Sequence, residues 1–285
     1  MSVCPVIAAQ LQIDHVTVAG ANLDVMRKAF TNATRIGPEY GGRHANHATE
    51  MALVSFPDGS YLELMGVQPH ADPAAVAAHA WSRFLQSNAG PCAFAIRVGD
   101  DAQVAGFRSA GIQIKGPERG GRMRPDGTRL EWETTDLGSS PRGTFFPFLI
   151  RDLTSRRNRA YLTGRATTER VSGISKVVIG VHNLDDAIAL YRRVFKLPAP
   201  DRERDPEFDA ELAWFDGTPV ILAHGLTANS WLTRRVVKFG EIPCAFVLRA
   251  TGESTGTRTS QWFGQKVSWA DERKLGWWLG MELSH

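Results

Sequence analysis

Two side chains that can bind a metal ion or transfer a proton lie in separate apolar segments of the sequence. His15 lies in segment 13–19 and Glu63 in segment 61–65. Both segments alternate in a way that is typical of strands with one face in the core. An imidazole and a carboxylate on adjacent strands would make half of a facial metal site. The alternative is a structural hydrogen bond between the two side chains at the edge of a cleft.

The helix predicted after the first strand decides which strand faces are buried. Asn22 is a suitable N-cap, and Leu23, Met26 and Phe30 form an apolar stripe with helical spacing. The apolar side chains of both strands are expected to face this stripe. The histidine and the carboxylate then face the opposite, concave side, and they enter one cleft if the two strands are neighbours.

A third metal ligand could come from either of two histidines that precede the next predicted strand, His44 and His47. Either would complete a set of two histidines and one carboxylate. The alternative is a loop histidine without a role. Glu63, or a hydroxide bound to the metal, could then move a proton of the substrate.

Two arginines precede a turn in the glycine-rich segment 120–127. Arg122 and Arg124 lie beside the Pro-Asp-Gly sequence and could bind a carboxylate or phosphate through paired hydrogen bonds. The alternative is a flexible basic hairpin. The glycines do not form a nucleotide-binding fingerprint, because no strand-to-helix junction follows them.

A faint internal repeat organises the chain. The order of strand, Asn-Leu-Asp cap and helical stripe in residues 13–30 recurs in residues 174–195. Segments 91–98 and 243–250 share the sequence Pro-Cys-Ala-Phe, and short strand candidates follow each unit. The repeat predicts an α+β fold of four β-α-β-β-β modules, which pair into two halves.

The predicted domain boundaries follow from this repeat. Residues 1–152 form the first domain with the candidate site, residues 153–171 form a basic linker, and residues 172–285 form a second, degenerate domain. The arginines of the linker are interpreted as solvated rather than as a site for an anionic partner. Residues 69–88 are predicted to be a helix that connects the first two modules. The helix of the fourth module is poorly defined in residues 251–260.

Five short motifs occur in order across residues 12–152. They are Ile13-Asp14-His15-Val16, Gly41-Gly42-Arg43-His44, Tyr61-Leu62-Glu63-Leu64, Arg124-Pro125-Asp126-Gly127 with Trp132, and Pro147-Phe148. In this order they resemble the glyoxalase-like branch of the vicinal oxygen chelate superfamily (glyoxalase/bleomycin resistance/extradiol dioxygenase). The second half resembles the superfamily only through its repeat pattern.

This resemblance implies that modules of the vicinal oxygen chelate type pair into two curled-sheet halves. The sheets curl around a shared cleft, where members often hold a divalent metal that binds substrate oxygens. His15 and Glu63 match the ligand positions of the family, and His44 lies in the matching Gly-Gly-Arg-His sequence. The resemblance through Arg124 and Asp126 favours a substrate-binding role for the arginines. The superfamily includes isomerases, lyases, epimerases, extradiol dioxygenases and metal-free resistance binders, so membership alone does not name a reaction.

The second module departs from the full ligand pattern of the family. Cys92 stands where a second histidine would lie, and Pro147 stands where a second acid would lie. Glu131 or Glu133 could substitute, although exposed strand positions are the simpler interpretation for both. A metal with few protein ligands keeps positions open for substrate, whereas too few ligands would bind no metal.

The second half has lost both matching ligand positions. Lys176 replaces the histidine, and Ile221 replaces the carboxylate. A role in the core or at an interface is therefore expected for this half. Four tryptophans near the end of the sequence are expected to be buried, namely Trp262, Trp269, Trp277 and Trp278.

Composition narrows the class of function. The net charge of +3 over 285 residues gives no reason to expect a nucleic-acid partner. Three cysteines without a framework pattern suit a reducing compartment, and no signal peptide or membrane span is predicted, so a cytoplasmic location is expected.

The function expected from these features is that of a small-molecule enzyme of the vicinal oxygen chelate type. A lyase or isomerase reaction is expected first and an extradiol-type dioxygenase second, with a divalent Zn, Fe, Mn or Ni ion held by His15, His44 and Glu63. The substrate would be anionic, and the chain could form a homodimer. The alternative is a protein that binds or sequesters a small molecule in the same cleft without a metal.

Overall fold

Two eight-stranded mixed sheets, with helices packed against them, make up the computed structural model of this chain. This arrangement confirms the predicted α+β fold with two curled-sheet halves. The structure describes residues 11–283, with only the backbone of residues 101–103 and with gaps at residues 45, 88, 99–100, 125, 253–255 and 257.

The first sheet contains eight strands in the order β2-β3-β4-β1-β5-β8-β7-β6. In chain order its elements are β1 (Ile13–Ala19), α1 (Leu23–Thr34), β2 (Glu39–Arg43), β3 (Thr49–Ser55), β4 (Tyr61–Val67), α2 (Pro73–Ala78), α3 (Ser82–Leu85), β5 (Gly90–Arg97), α4 (Asp101–Ser109), β6 (Ile114–Met123), β7 (Arg129–Leu137) and β8 (Phe148–Asp152). The strand β1 pairs in parallel with β4 and antiparallel with β5, so the two modules meet at their first strands.

The second sheet repeats this order as β10-β11-β12-β9-β13-β16-β15-β14. The remaining elements are α5 (Arg156–Ala160), β9 (Val171–Gly180), α6 (Leu184–Phe195), β10 (Asp201–Asp205), β11 (Ala210–Trp214), β12 (Val220–Gly225), α7 (Trp231–Phe239), β13 (Ile242–Ala250), β14 (Arg258–Trp262), β15 (Gln265–Trp269), α8 (Glu272–Leu275) and β16 (Trp278–Leu283). The strand β9 pairs in parallel with β12 and antiparallel with β13.

Helix α1 forms where the cap and the apolar stripe predict it. The side chain of Asn22 accepts a hydrogen bond of 3.0 Å from the backbone N–H of Val25, which satisfies one of the free donors of the first turn. The helix ends at Arg35, which adopts the left-handed conformation. Phe30 and Val16 belong to the same buried cluster, so the apolar faces of helix and strand meet as predicted.

The insert between β4 and β5 differs from the single helix that the sequence predicts. It forms the two short helices α2 and α3. Helix α2 buries none of its residues, whereas α3 buries Phe84 and Leu85. The chain must turn between the two helices to reach the core. This turn carries His79 and Trp81 to the concave side of the first sheet.

The basic segment after β8 also differs from its sequence interpretation. Arg159 of α5 is only 3% exposed and forms ion pairs with Asp14 and Asp152, so the solvated interpretation is wrong for this residue. Buried carboxylates of the first sheet attract it. In the second half, β10 is a strand that the sequence analysis does not include. The described residues between β13 and β14 contain no helix, in line with the weak pattern there.

The two halves share one large apolar core. Phe145 and Phe146 of the first half pack against Tyr191 and Phe195 of α6. The central strands β5 and β13 also run beside each other across the junction. No helix in the described part of the chain is long and apolar enough to cross a membrane.

Candidate active site

A cleft of about 270 Å³ opens on the concave face of the first sheet. Its aromatic walls are Tyr61, Trp81, Trp132 and Phe148. The titratable and charged side chains that line it are His15, His44, His79, Glu63, Arg122, Arg142 and Arg159. The structure therefore brings His15, His44, Glu63 and Arg122 into one cleft, from four different strands or loops.

The imidazole of His15 is fixed by its neighbour in β1. Its Nδ1 lies 2.7 Å from a carboxylate oxygen of Asp14, and its ring stacks on Tyr61 with 4.8 Å between centroids. A carboxylate can only accept, so Nδ1 carries the proton. Nε2 of a neutral ring is then left with a free lone pair, which can accept a proton or bind a metal.

A buried charge cluster holds Asp14 in place. The carboxylate is fully buried and accepts hydrogen bonds of 3.0 and 2.8 Å from Arg159, as well as one from Arg156. Burial alone would raise the pKa of Asp14, but the Arg159 guanidinium and the hydrogen bond from His15 hold it well below its ordinary value. Asp14 is therefore a permanent anion, and helix α5 supplies its counter-charges.

Glu63 of β4 is positioned by the neighbouring strand β1. Thr17 lies opposite it in the parallel ladder, and its hydroxyl donates a 3.1 Å hydrogen bond to Oε2. The other carboxylate oxygen lies 3.7 Å from Nε2 of His44. One carboxylate oxygen is thus held by β1, while the other is available to a ligand or a proton.

The two loop histidines have different positions. His44 lines the cleft with Nδ1 2.7 Å from the hydroxyl of Thr49, and burial lowers its pKa although Glu63 acts in the opposite direction. His47 is exposed, has a positive φ of 57° and does not line the cleft. The contact with Thr49 leaves Nε2 of His44 facing Glu63 at 3.7 Å.

The two predicted substrate-binding arginines lie on either side of the end of β6 and have different surroundings. Arg122 lines the cleft and donates 3.3 Å hydrogen bonds to the carbonyl oxygens of Gly41 and Arg159. Among the described residues no carboxylate forms an ion pair with it. Arg124 lies outside the lining, where its guanidinium donates to carbonyl oxygens of Asn158 and Leu162 after β8.

Several residues of the cleft carry no signal in the sequence pattern. Arg159 comes from the segment after the first sheet, and His79 and Trp81 come from the insert. Arg142 belongs to a loop and forms hydrogen bonds with Asp136. Loops and short helices place these side chains, and their conformation does not follow from apolar periodicity. The large apolar residues Trp81, Phe84 and Leu85 are the signal in the sequence that the insert returns to the core.

The second module contributes walls but no ligands at the family positions. Cys92 and Pro147 are buried. Glu131 pairs with Arg129 at 2.9 Å, and neither Glu131 nor Glu133 lines the cleft.

The matching face of the second sheet is filled. Trp262, Trp269 and Trp278 surround Phe208 with ring centroids 5.0–5.3 Å from it. All four predicted tryptophans are buried, with Trp277 at the junction with the first half. Lys176 occupies the position that matches His15, and its ammonium group pairs with Glu282 at the edge of a separate open cavity.

The side chains around the cleft do not form a three-ligand metal set. Among the described residues no group of three His, Cys, Asp or Glu side chains is close enough to hold a metal ion. His44 and Glu63 make a pair, while His15 stands apart against Tyr61. The predicted ligands share one cleft but do not converge, so in this arrangement they do not fit a metal ion.

Paired modules around a lined cleft define a protein of the vicinal oxygen chelate type. The family model of the glyoxalase-like domain matches residues 13–195, which is more than half of the sequence. The chain belongs to this family. Among curated proteins, no sequence matches the chain.

Solved structures match this chain at low sequence identity, and two of them cover 96% of it. A hypothetical protein from Staphylococcus aureus is 14% identical with a TM-score of 0.65, and the match covers 96% of this chain and 100% of that one. A mutant of 4-hydroxymandelate synthase from Streptomyces coelicolor is 10% identical with a TM-score of 0.60, covering 96% and 92%. Methylmalonyl-CoA epimerase from Mycobacterium tuberculosis matches over 41% of this chain and 91% of its own, at 15% identity and a TM-score of 0.35.

Proposed function

We propose that this protein is a small-molecule enzyme that removes a proton next to a carbonyl group of an anionic substrate, as a lyase or isomerase. Glu63 is the base, and Arg122 binds the carboxylate of the substrate. The ring or chain of the substrate lies against the aromatic walls. Extradiol-type oxygenation is the second candidate of this enzyme class, and it would require iron with two histidines and one carboxylate.

One observation carries the proposal: a carboxylate with one oxygen directed at the cleft and an arginine that forms no ion pair with an acidic side chain of the described residues line the same small cleft. Thr17 holds one oxygen of Glu63, and the other has only the His44 imidazole beside it, at 3.7 Å. Burial lowers the pKa of Arg122, and the charge of Glu63 acts on it only from a distance. A partly buried cation that contacts only carbonyl oxygens is stabilised further by a bound anion.

The size and lining of the cleft set the substrate class. The volume of about 270 Å³ lies just below the usual range for ligand pockets, which is roughly 300–1,000 Å³, so a small substrate is favoured. Aromatic walls with one cationic anchor favour a substrate that combines an apolar group with one carboxylate. A 2-oxo acid with an aryl group has both features, and its carbonyl acidifies the neighbouring C–H.

The direct test is deuterium exchange at that C–H. We expect the wild-type protein to replace the C3 protons of 2-oxo-4-phenylbutyrate with deuterium in D₂O faster than buffer does, measured by ¹H NMR. Removal of a general base lowers such rates by about 10²- to 10⁴-fold, so Glu63→Gln should lose the exchange. Exchange at the buffer rate by the wild type would overturn the proposal.

A matched control separates loss of the base from loss of a surface charge. Glu131 lies on β7 of the same sheet, pairs with Arg129 and does not line the cleft. Glu131→Gln should therefore exchange at the wild-type rate. Equal loss in both variants would show that the effect does not belong to the cleft.

Metal dependence remains a prediction from the sequence. His15, His44 and Glu63 would have to converge to hold a divalent ion, which would supply a Lewis acid for the carbonyl oxygen. Elemental analysis of the purified wild type, His15→Ala and Glu63→Ala would test it. Near-stoichiometric metal that both variants lose would place an ion in the cleft, and iron together with oxygen uptake on a catechol would favour the dioxygenase.

A metal-free binding protein is the second candidate function. It is favoured by the missing ligands of the second module, where Cys92 and Pro147 stand at the family positions. Such a protein would bind 2-oxo-4-phenylbutyrate without exchange. Binding by calorimetry that persists in Glu63→Gln, with no turnover in the wild type, would support this function over the enzyme.

A further inference from the structure

We propose that His79 is a further catalytic residue, whose Nε2–H donates a hydrogen bond to the carbonyl oxygen of the substrate while Glu63 takes the neighbouring proton. This inference rests on the proposed function and names its electrophile. The residue comes from the insert between β4 and β5, outside all five motifs of the family resemblance. Its ring lies in the lining of the cleft together with Glu63 and Arg122.

The hydrogen bonds around His79 determine which ring nitrogen carries the proton. The backbone N–H of Trp81 donates to Nδ1 of His79 at 3.2 Å. A backbone N–H is only a donor, so Nδ1 must be the unprotonated acceptor, and the proton of the neutral ring sits on Nε2. The ring is therefore a donor at the nitrogen that the backbone does not bind.

The turn that carries His79 is anchored at both sides. The indole N–H of Trp81 donates a 3.0 Å hydrogen bond to the carbonyl oxygen of Arg142, across the cleft entrance. The rings of His79 and Trp81 lie 5.8 Å apart. Phe84 of the insert belongs to the same buried cluster as Trp81. A donor held this way is preorganised, which is the condition for stabilising charge that appears on a substrate oxygen.

Burial in the cleft wall favours the neutral form of this imidazole. Burial lowers the pKa of His79, a positive charge on His44 would lower it further, and Glu63 acts in the opposite direction. A neutral ring retains its Nε2 proton and does not form a tight ion pair with Glu63. The carboxylate thus stays free as a base while the imidazole acts as a donor.

The proposed step is a proton transfer from the carbon beside the carbonyl group to Glu63. The C–H bond beside the carbonyl breaks, its proton goes to Glu63, and its electron pair forms the C=C bond of an enolate. The carbonyl oxygen takes the negative charge and accepts the hydrogen bond from His79. Arg122 holds the substrate carboxylate throughout. The carboxylic acid of Glu63 exchanges its proton with D₂O, and return of the deuteron from Glu63 to carbon completes the exchange without an oxidant or reductant.

Two variants of His79 distinguish donation from mere packing. His79→Gln places an amide N–H near the position of Nε2, whereas His79→Ala removes the donor. The control is His182→Ala, an exposed histidine in the second half. Loss of one such donor costs roughly 10²- to 10³-fold in kcat, so His79→Ala should show that loss in exchange of 2-oxo-4-phenylbutyrate with KM nearly unchanged. His79→Gln should recover part of the rate, and His182→Ala should keep all of it.

A second readout does not depend on turnover. A long-range ¹H–¹⁵N correlation spectrum of the wild type should show His79 as the neutral Nε2–H tautomer at pH 7.5. The Nδ1–H tautomer, or a wild-type exchange rate in His79→Ala, would overturn the inference and leave the proposed function intact. Absence of exchange by the wild type would overturn the proposed function and this inference together.

Discussion

At the scale of single residues, the most constrained group near the cleft is a carboxylate that does not enter it. Asp14 is fully buried beside His15, and the guanidinium groups of Arg156 and Arg159 surround it. A buried anion of this kind is stable only while its counter-charges are present. The orientation of His15 therefore depends on α5, a helix more than 140 residues further along the chain.

Removal of this charge should destabilise the whole protein. Asp14→Asn keeps the size of the side chain but removes the fully buried anion of the cluster, so that the buried Arg159 and the half-buried Arg156 keep only Asp152 as a counter-charge. Breaking a buried pair costs about 3–5 kcal/mol, and we expect a loss of that order in the free energy of unfolding, measured by urea denaturation with circular dichroism detection. Asp24→Asn is the control, because the Asp24 side chain is 77% exposed in its ion pair with Arg27. Its effect should stay below about 1 kcal/mol, and similar losses in both variants would contradict the role of burial.

Residue-level prediction from the sequence succeeded where a strand dictates the direction of a side chain. Strand alternation is enough to place His15 and Glu63 on one face, since neighbours on a strand point to opposite sides. Strand alternation does not predict the positions of Arg159 and His79. Their positions depend on a buried carboxylate and on a backbone hydrogen bond, and neither leaves a periodic trace in the sequence.

At the scale of elements, a single glycine sets how closely α1 approaches β4. A Cβ atom at Gly66 would lie 2.6 Å from the backbone nitrogen of Leu23, at the start of the helix. Backbone atoms cannot move aside as a flexible side chain can, so the helix or the strand would have to shift. Glu63 lies three residues before this glycine in the same strand, and a shift would also move the carboxylate of the cleft.

The substitution Gly66→Ala tests this contact. Overpacking of a dense interior typically costs about 1–3 kcal/mol, and we expect a loss of that size in thermal unfolding together with a lower exchange rate at the cleft. Gly37→Ala is the matched control, because no atom lies within 4 Å of a Cβ there and the residue is exposed. Its stability should change by less than about 0.5 kcal/mol. Unchanged stability of Gly66→Ala would show that helix and strand separate without cost.

The repeat explains why so many elements could be predicted from the sequence. The cap at Asn22 and the cap at Asn183 start two helices of the same length in the two halves. Elements outside the repeat could not be found this way. The insert helices and α5 are too short to show an apolar period, and α3 and α5 are held by the few residues that they bury.

At the scale of the whole molecule, two similar sheets have different interiors. The first sheet keeps a polar-lined cleft, whereas the corresponding face of the second is closed by Phe208 and tryptophan rings. The remaining apolar surfaces of the two halves meet in one core, in which Trp277 packs against Phe30. The filled half thus serves as a rigid support for the half with the cleft.

A shared core implies that the two halves unfold together. Trp278 lies in the filled face of the second half, 5.1 Å from Trp269, far along the chain from β1 and β4. Truncation of a buried tryptophan costs about 3–5 kcal/mol. If unfolding is cooperative, Trp278→Ala should lower the hydrogen-exchange protection of the most protected amides by the same free energy in β1 and in β9, measured by mass spectrometry. The exposed Val237 offers a control, since Val237→Ala should leave protection in both strands unchanged. A loss confined to β9 would instead mean that the first half keeps its stability alone, and that the cleft does not depend on the filled sheet.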